Sequence, residues 1–485
     1  MKKLKDILHG IPVTELVGNL DVVITQISFD SRNVVEGSVF VAVTGTQTDG
    51  NRFIGNAIEA GASAVMCEQL PDQLEDTITY VLVSDTAFAL GVLAANYFEN
   101  PSKQLRLVGV TGTNGKTTVA TLLYQLFSEL GYACGLLSTV ENRVAEKIVQ
   151  ATHTTPDPVQ LNALIREMVD QGCDYCFMEV SSHAIVQQRI AGLVFAGGIF
   201  TNITHDHLDF HQSFVNYVKA KQTFFDGLDK FAFALYNLDD RNGAIMVQNS
   251  FAHKKSYGIK NIADFKTKVL ETHFEGTLLQ LEGQEVWVNQ VGEFNAYNLL
   301  AVYGAAVLLE QETIKVLTSM SKLKGAEGRF DVQISDQGII GIVDYAHTPD
   351  AVKNVLETIA RLRRGDEQVI TVLGCGGDRD KAKRPEMAAV AIRNSNKLII
   401  TSDNPRTEDP MAIIRDMESG VPLASKKHVF SIADRKEAIR AACHLAQAGD
   451  VVLVAGKGHE KYQEINGERL PFDDKEVLRQ TFTEQ

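Results

Sequence analysis

The sequence predicts an α/β protein of three domains, the central one built on a mostly parallel sheet and the last doubly wound. Three observations carry that prediction. The chain has 485 residues, about three domains of ordinary size. Short apolar runs that read as buried strands alternate with segments of helical spacing, the pattern of a parallel sheet covered on both faces. Two turn-rich stretches, Asn100-Pro101-Ser102 and Gly325-Ala326-Glu327-Gly328, divide the chain. The expected units are therefore 1–101, 102–328 and 329–485.

In the first unit Val39 to Val43 reads as a buried strand, a short helix ends over Ala57 to Ala62, and Ala64-Val65-Met66 starts another strand. The second unit opens with the apolar run Leu105 to Val110. Gly112-Thr113-Asn114-Gly115-Lys116-Thr117-Thr118 follows, and then Val119, Leu122, Leu123, Leu126 and Leu130 at helical spacing. Strand, glycine-rich turn and helix aim backbone N–H groups and a helix N-terminus at one point, where an anion is stabilised. Lys116 adds a mobile positive charge for terminal phosphates, and the Thr117 hydroxyl suits magnesium. This central unit is expected to be a P-loop-type ATPase domain that binds a nucleoside triphosphate. Its loop is a variant. The common form has glycine five residues before the glycine of the Gly-Lys pair, where this chain has Val110 between Gly109 and Gly112.

Tyr175 to Val180 and Gly198 to Asn202 read as further buried parallel strands. Val269 to Val288 reads as a small antiparallel excursion with a turn near Glu282-Gly283-Gln284. In the third unit, strands over Ile339 to Val343, Gln368 to Leu373, Lys397 to Thr401 and Val451 to Val454 alternate with helices over Asp350 to Arg364, Arg384 to Ile392 and Ala433 to Ala446. That is a doubly wound, Rossmann-like domain, in which ligands bind at the carboxyl ends of strands.

Composition narrows the function. With 47 basic and 61 acidic residues the net charge is −14, which opposes general nucleic-acid binding. Hydrophobic content of 45% and charged content of 22% are globular values. The six cysteines, Cys67, Cys134, Cys173, Cys176, Cys375 and Cys443, are scattered. They read as reduced thiols of a cytoplasmic protein, with the isolated Cys173/Cys176 pair packed around a strand. No apolar run reaches membrane-spanning length, and no secretory signal follows the basic start.

Several side chains stand where chemistry is expected. Glu179, at the end of an apolar strand, reads either as a magnesium ligand beside the phosphates or as a strand-end acid paired with a surface cation. Thr201 to His211 is dense in ligand-type side chains, but spacing does not choose among His205, His207 and His211. On a helix opening near Tyr217, Lys219 and Lys221 read as solvated lysines. Three strand ends of the third unit carry Gly374 to Asp380, Ser402 to Arg406 and Gly456 to Glu460. Their arginines match a carboxylate and their glutamate an ammonium, so a zwitterion such as an amino acid fits.

Over essentially its whole length the chain resembles the Mur ligases of peptidoglycan synthesis. Ser28 to Val34 with Gly37 and Phe40-Val41-Ala42 resembles the family's uridine-nucleotide domain, and the Gly112–Thr118 loop resembles the family's own phosphate loop. The resemblance implies an ATP-dependent ligase that adds meso-diaminopimelate to UDP-MurNAc-L-Ala-D-Glu through an acyl phosphate, with ATP and Mg2+. It also implies residue roles. Phe29, Ser31, Thr46, Gln47, Thr48, Thr154, Thr155, Ser181, Gln187 and Arg189 match positions that hold the muramoyl-dipeptide. Thr46 and His153 depart from residues common there. Tyr217-x-x-Ala220-Lys221 matches the motif whose lysine is carbamylated, which makes Lys221 an anionic magnesium ligand, and His207 matches the histidine near the second magnesium. Asn295, Asn298, Arg329 and Asp344 match adenine and ribose positions. Asp403-Asn404-Pro405-Arg406 resembles the signature of diaminopimelate-adding members. Arg406 would pair the distal carboxylate, with Arg379, Gly456 and Glu460 completing the contacts. No nucleic-acid or membrane partner is expected, and the protein is expected to act as a monomer. The other readings are a lysine-adding relative, a folylpolyglutamate synthase-like ligase and a non-catalytic nucleotide-binding protein.

Overall fold

The structure, a computed structural model, describes all residues except 1, 46–48, 152, 364 and 485. Three large sheets divide the chain, with two further sheets of two strands each. In the first, strands run in the order Val13–Val17, Thr79–Val83, Ala62–Cys67, Ser38–Val41, Gln26–Ser28, with only the Val13–Val17 strand antiparallel. The expected helix ends earlier than the sequence reading placed it. It spans Ile54–Glu59, and Ala62 already belongs to the strand. The cause is Gly61, whose φ of +101° turns the chain and whose hydrogen fits against the Glu36 backbone.

The middle sheet has 11 strands. Its centre is Cys134–Leu137, Tyr175–Glu179, Arg106–Thr111, Gly197–Phe200, Phe233–Asn237 and His253–Gly258, all parallel. Side chains alternate between two cores, one on each face. Helix Lys116–Glu129 enters the first through Val119, Leu122, Leu123, Leu126 and Phe127, all fully buried at helical spacing. Truncating Leu123 to alanine there would cost about 3 kcal/mol. The antiparallel excursion expected over Val269 to Val288, with its turn at Glu282-Gly283, is present but starts earlier than the sequence reading placed it. Phe265–His273 pairs in parallel with His253–Gly258 and then antiparallel with Gly276–Leu281, which pairs with Gln284–Val288. It is the edge of the main sheet, begun earlier and turned twice. Leu279, Leu281, Val286 and Val288 hold it there, because they point into the core under helix Glu293–Leu308.

The third sheet has the order Asp331–Ile334, Ile340–Asp344, Val451–Ala455, Val369–Cys375, Lys397–Ser402, Val429–Ser431, antiparallel only at Asp331–Ile334. Helices Pro349–Leu362, Lys383–Arg393 and Pro410–Glu418 cover one face, and Arg435–Leu445 and Asp474–Glu484 the other. This is the doubly wound arrangement. A hairpin, Tyr462–Ile465 with Glu468–Pro471, follows the last parallel strand. Among the described residues no helix is long and apolar enough to cross a membrane. All six cysteines are free and buried.

Candidate active site

The glycine-rich turn leaves the central strand Arg106–Thr111, so it opens at the carboxyl edge of the sheet. Val110 is a fully buried strand residue, and the turn starts two residues later. Gly112 has φ +150°, and a Cβ there would overlap the Thr201 hydroxyl; Gly115 has φ +87°, and a Cβ there would sit 2.5 Å from Asn298 Oδ1. Both positions therefore require glycine. Lys116 begins the helix, and its Nζ donates to Gly112 O (3.0 Å) and Thr113 O (2.8 Å). Thr117 Oγ1 donates to Glu179 Oε1 (2.9 Å), which also accepts from Thr139 N (2.7 Å). Glu179 is thus buried beside the turn, and among the described residues no surface cation pairs with it. From the third domain, Arg329 Nη2 donates to Thr117 Oγ1 (3.2 Å), and its guanidinium stacks 4.5 Å over the Tyr345 ring. Its Nε is buried without a partner among the described residues, a donor set beside a turn built for anions.

Helix Phe214–Asp226 separates the two lysines that its sequence left open. Tyr217, Ala220, Lys221 and Phe224 share its buried face, and Lys219 is exposed. Lys221 Nζ donates to Gly112 O (2.8 Å) and contacts Thr111 Oγ1 (3.5 Å). Burial, with Lys116 next to it, pulls the Lys221 ammonium well below the usual lysine range. Geometry also separates the histidines. His207 lines the cleft with its ring 4.9 Å from that of His183, and burial lowers its pKa to about 3. His211 turns away to Ser182 Oγ (2.9 Å), and His205 packs on Phe214. Asp206 lies 2.8 Å from Lys383 Nζ, which reaches over from the third domain. Burial alone would raise the Asp206 pKa, but His207, His347 and Lys383 outweigh it and hold it below the carboxylate range.

Next to the turn, Thr155 Oγ1 donates to Glu179 O (2.8 Å), and Thr139 Oγ1 to Thr154 Oγ1 (3.1 Å). Ser181 Oγ caps a short helix by accepting from Ala184 N, while Arg189 donates to Thr155 O (2.7 Å) and Gln187 Oε1 (2.9 Å). On the opposite wall, three strand ends of the third sheet meet. Asn404 Nδ2 donates to Glu460 Oε2 (2.7 Å). Arg406, at φ +51°, donates from Nη1 to Gly377 O (2.7 Å) and lies 3.6 Å from Glu464 Oε2. A Cβ on Gly456 would sit 2.6 Å from Asp403 Oδ2, so the chain passes close over that carboxylate.

One cleft of about 450 Å³ joins these groups. Of the expected residues, Thr113, Asn114, Gly115, Lys116, Thr117, Thr154, Thr155, Glu179, Ser181, Arg189, His207, Arg329, Arg379, Asp403, Asn404, Arg406, Gly456 and Glu460 line it. Gly112 starts the turn, Thr118 stands in the first turn of the helix after it, and Lys221 Nζ reaches Gly112 O; none of the three is on the cleft's lining. Asn298 abuts Gly115 and donates to Asn295, while Asp344 accepts from Phe330 N and Ala346 N at the domain junction. Gln187 and Pro405 do not line the cleft, and neither do Phe29, which is exposed, and Ser31, both on the first domain. Thr46, Gln47 and Thr48 lie outside the described residues. Among the described residues no group of three or more His, Cys, Asp or Glu side chains converges on a point. Magnesium needs no such group, because it takes one or two carboxylates and fills its sphere with phosphate oxygens and water. The sequence reading missed Lys457, Asp206, Lys383 and the stacked Tyr345. Lys457 and Asp206 stood inside loops already singled out, beside glycines or histidines, whereas Lys383 opens the helix Lys383–Arg393 beyond the Gly374–Asp380 loop.

Residues 110–306 match the Mur ligase middle domain, 328–458 the Mur ligase glutamate ligase domain, and 23–98 the Mur ligase family catalytic domain. The chain is similar to the UDP-N-acetylmuramoyl-L-alanyl-D-glutamate--2,6-diaminopimelate ligase of Phocaeicola vulgatus, 56% identical over 483 residues that cover 100% of both chains. It is also similar to a solved structure of a ligase of that name, with TM-score 0.70, 33% identity, and coverage of 100% of this chain and 99% of the other. The fold is shared with the MurF ligase of Thermotoga maritima in complex with ADP, at TM-score 0.63, 18% identity and coverage of 96% and 98%.

Proposed function

The chain belongs to the Mur ligase family, and from that premise we propose that it joins meso-diaminopimelate to UDP-MurNAc-L-Ala-D-Glu at the expense of ATP. The D-glutamate carboxylate attacks the γ-phosphorus, and ADP leaves. The amine of diaminopimelate attacks the resulting acyl phosphate, a proton is lost, and inorganic phosphate departs with the new amide in place.

The residues divide that work. Backbone N–H groups of Gly112 to Thr118 and the Lys116 ammonium hold the terminal phosphates. Arg329, with its unpartnered Nε, adds charge from the third domain. Asn295, Asn298 and Asp344 hold the adenosine. Thr154, Thr155, Ser181, Gln187 and Arg189 orient the muramoyl-dipeptide, and Phe29, Ser31, Thr46, Gln47 and Thr48 its uridine end. Arg379, Asp403, Asn404, Pro405, Arg406, Gly456 and Glu460 form the diaminopimelate wall. Magnesium would be held by Thr117, Glu179, His207 and the carbamate of Lys221, and would supply neutralisation of the transferring group's charge. The Lys221 reading is supported by its burial and depressed pKa, because the neutral amine is the form that adds carbon dioxide.

The observation that carries the specificity is the pairing of a cationic fork, Arg406, with an acidic partner, Glu460, on one wall of the nucleotide cleft. Lysine has no distal carboxylate and would leave the guanidinium with only Gly377 O and Glu464 as partners. The test is phosphate release with ATP, UDP-MurNAc-L-Ala-D-Glu and each amino acid in turn. Release that requires diaminopimelate is expected, and equal release with lysine would refute the specificity.

A further inference from the structure

Lys457 is a charged side chain with no solvent exposure at all. It follows strand Val451–Ala455 between Gly456 (φ +118°) and Gly458 (φ +54°). A Cβ on Gly458 would sit 2.7 Å from Gly328 O, so both flanks are pinned and the side chain has one way in. Its Nζ donates to Asn404 Oδ1 (2.9 Å) and Glu460 Oε2 (3.1 Å) and lies 3.7 Å from Asp403 Oδ1. The Tyr462 ring closes the remaining side at 5.5 Å. A buried ammonium is costly unless it is paired and hydrogen-bonded, and here its polar partners Asp403, Asn404 and Glu460 all belong to the wall that faces the cleft.

The network fixes two orientations. Asn404 Oδ1 accepts from both Lys457 Nζ and Glu464 N (2.9 Å), which forces Nδ2 toward Glu460. Glu460 Oε2 accepts from both Asn404 and Lys457, which leaves Oε1 for an incoming donor. Asp403 and Glu460 are two carboxylates around one ammonium, so this cluster of three side chains keeps a negative charge that an arriving ligand ammonium offsets.

We propose that Lys457 is a positioning residue for the amino-acid substrate, holding Asn404 and Glu460 in the pose that receives the zwitterionic end of diaminopimelate. This rests on the diaminopimelate reading above. Lys457 bonds to no reacting group; it acts through the two side chains it anchors. Without it the carboxylates of Asp403 and Glu460 repel, and Glu460 swings away from the substrate.

The test is steady-state phosphate release by Lys457→Met and Lys457→Arg, with each of the three substrates varied in turn and the thermal midpoint measured alongside. Lys457→Met is expected to raise KM for diaminopimelate about 30-fold or more, with KM for ATP and for UDP-MurNAc-L-Ala-D-Glu within about twofold of wild type. Lys457→Arg keeps the charge but not the compact donor, and is expected to fall between the two. A diaminopimelate KM that stays within about twofold in either folded variant would overturn the proposal. So would three KM values rising together as the midpoint drops, since that pattern belongs to a merely structural lysine. Wild-type protein that released no phosphate with diaminopimelate would instead remove the functional reading, and this proposal with it.

Discussion

Single side chains decide most of the chemistry, and three are accessible to direct tests. Lys221→Ala is expected to lose turnover and to regain part of it when short carboxylates are added, because they supply the missing anionic oxygens. A variant that no carboxylate revives would remove the carbamate. Arg406→Ala is expected to lower kcat/KM for diaminopimelate about a hundredfold while barely touching the ATP dependence; an unchanged preference over lysine would contradict the assignment. The third test concerns acid stability. Arg384 is buried, and its hydrogen bonds hold the Glu408 carboxyl down from 4.5 to about 2. A depressed carboxylate adds stability above its unfolded pKa and loses it as pH falls through the folded value. The thermal midpoint should therefore fall between pH 4.5 and about 2, and Arg384→Met should flatten that interval. An identical pH profile in the variant would rule the pair out. The burial of Lys221 was legible in the bare residues, yet that reading took both lysines as solvated and only the family motif singled Lys221 out. Tyr217, Ala220, Lys221 and Phe224 stand at helical spacing, so the periodicity that marks the buried face also places this lysine on it and leaves Lys219 outside.

Elements were legible wherever their pattern was local. The nucleotide turn announced itself because the strand before it, the glycines and the helix after it are contiguous. The hairpin at Tyr462–Ile465 carried Asn466-Gly467, the strongest short-range turn signal, and was overlooked. It matters to the site, since Gln463 donates to Asp403 O (2.6 Å) and Glu464 flanks Arg406. The C-terminal helix was also missed. Asp474–Glu484 is held to Arg435–Leu445 by a two-pronged pair between Arg435 and Asp474, at 2.7 Å for both bonds and with no exposure on either side. Removing one partner strands a buried charge, so Asp474→Asn should destabilise the protein by about 3–5 kcal/mol. The double replacement Arg435→Met with Asp474→Leu should recover much of that loss. Thermal unfolding of the three variants distinguishes the cases, and equal loss in single and double variants would refute the account.

At the scale of the whole molecule, what the sequence could not display is contact between distant segments. Asp206 and Lys383 are 177 positions apart and nothing local marks them as partners, yet they tie the middle domain to the third across the cleft. Arg329 does the same through Thr117. With substrates arriving on several domains, full ligation should tighten these links and exclude water. Small-angle scattering is expected to give a smaller radius of gyration with ATP analogue, uridine substrate and amino acid together than without them; superimposable profiles would count against closure. One last consequence follows from the tether of Lys116 to the carbonyls of its own turn. An ion that touches the turn at a single point must compete with that tether and is held loosely. A triphosphate that spans several amides exchanges the tether for stronger bonds. The resting turn is therefore expected to hold orthophosphate far more weakly than a triphosphate.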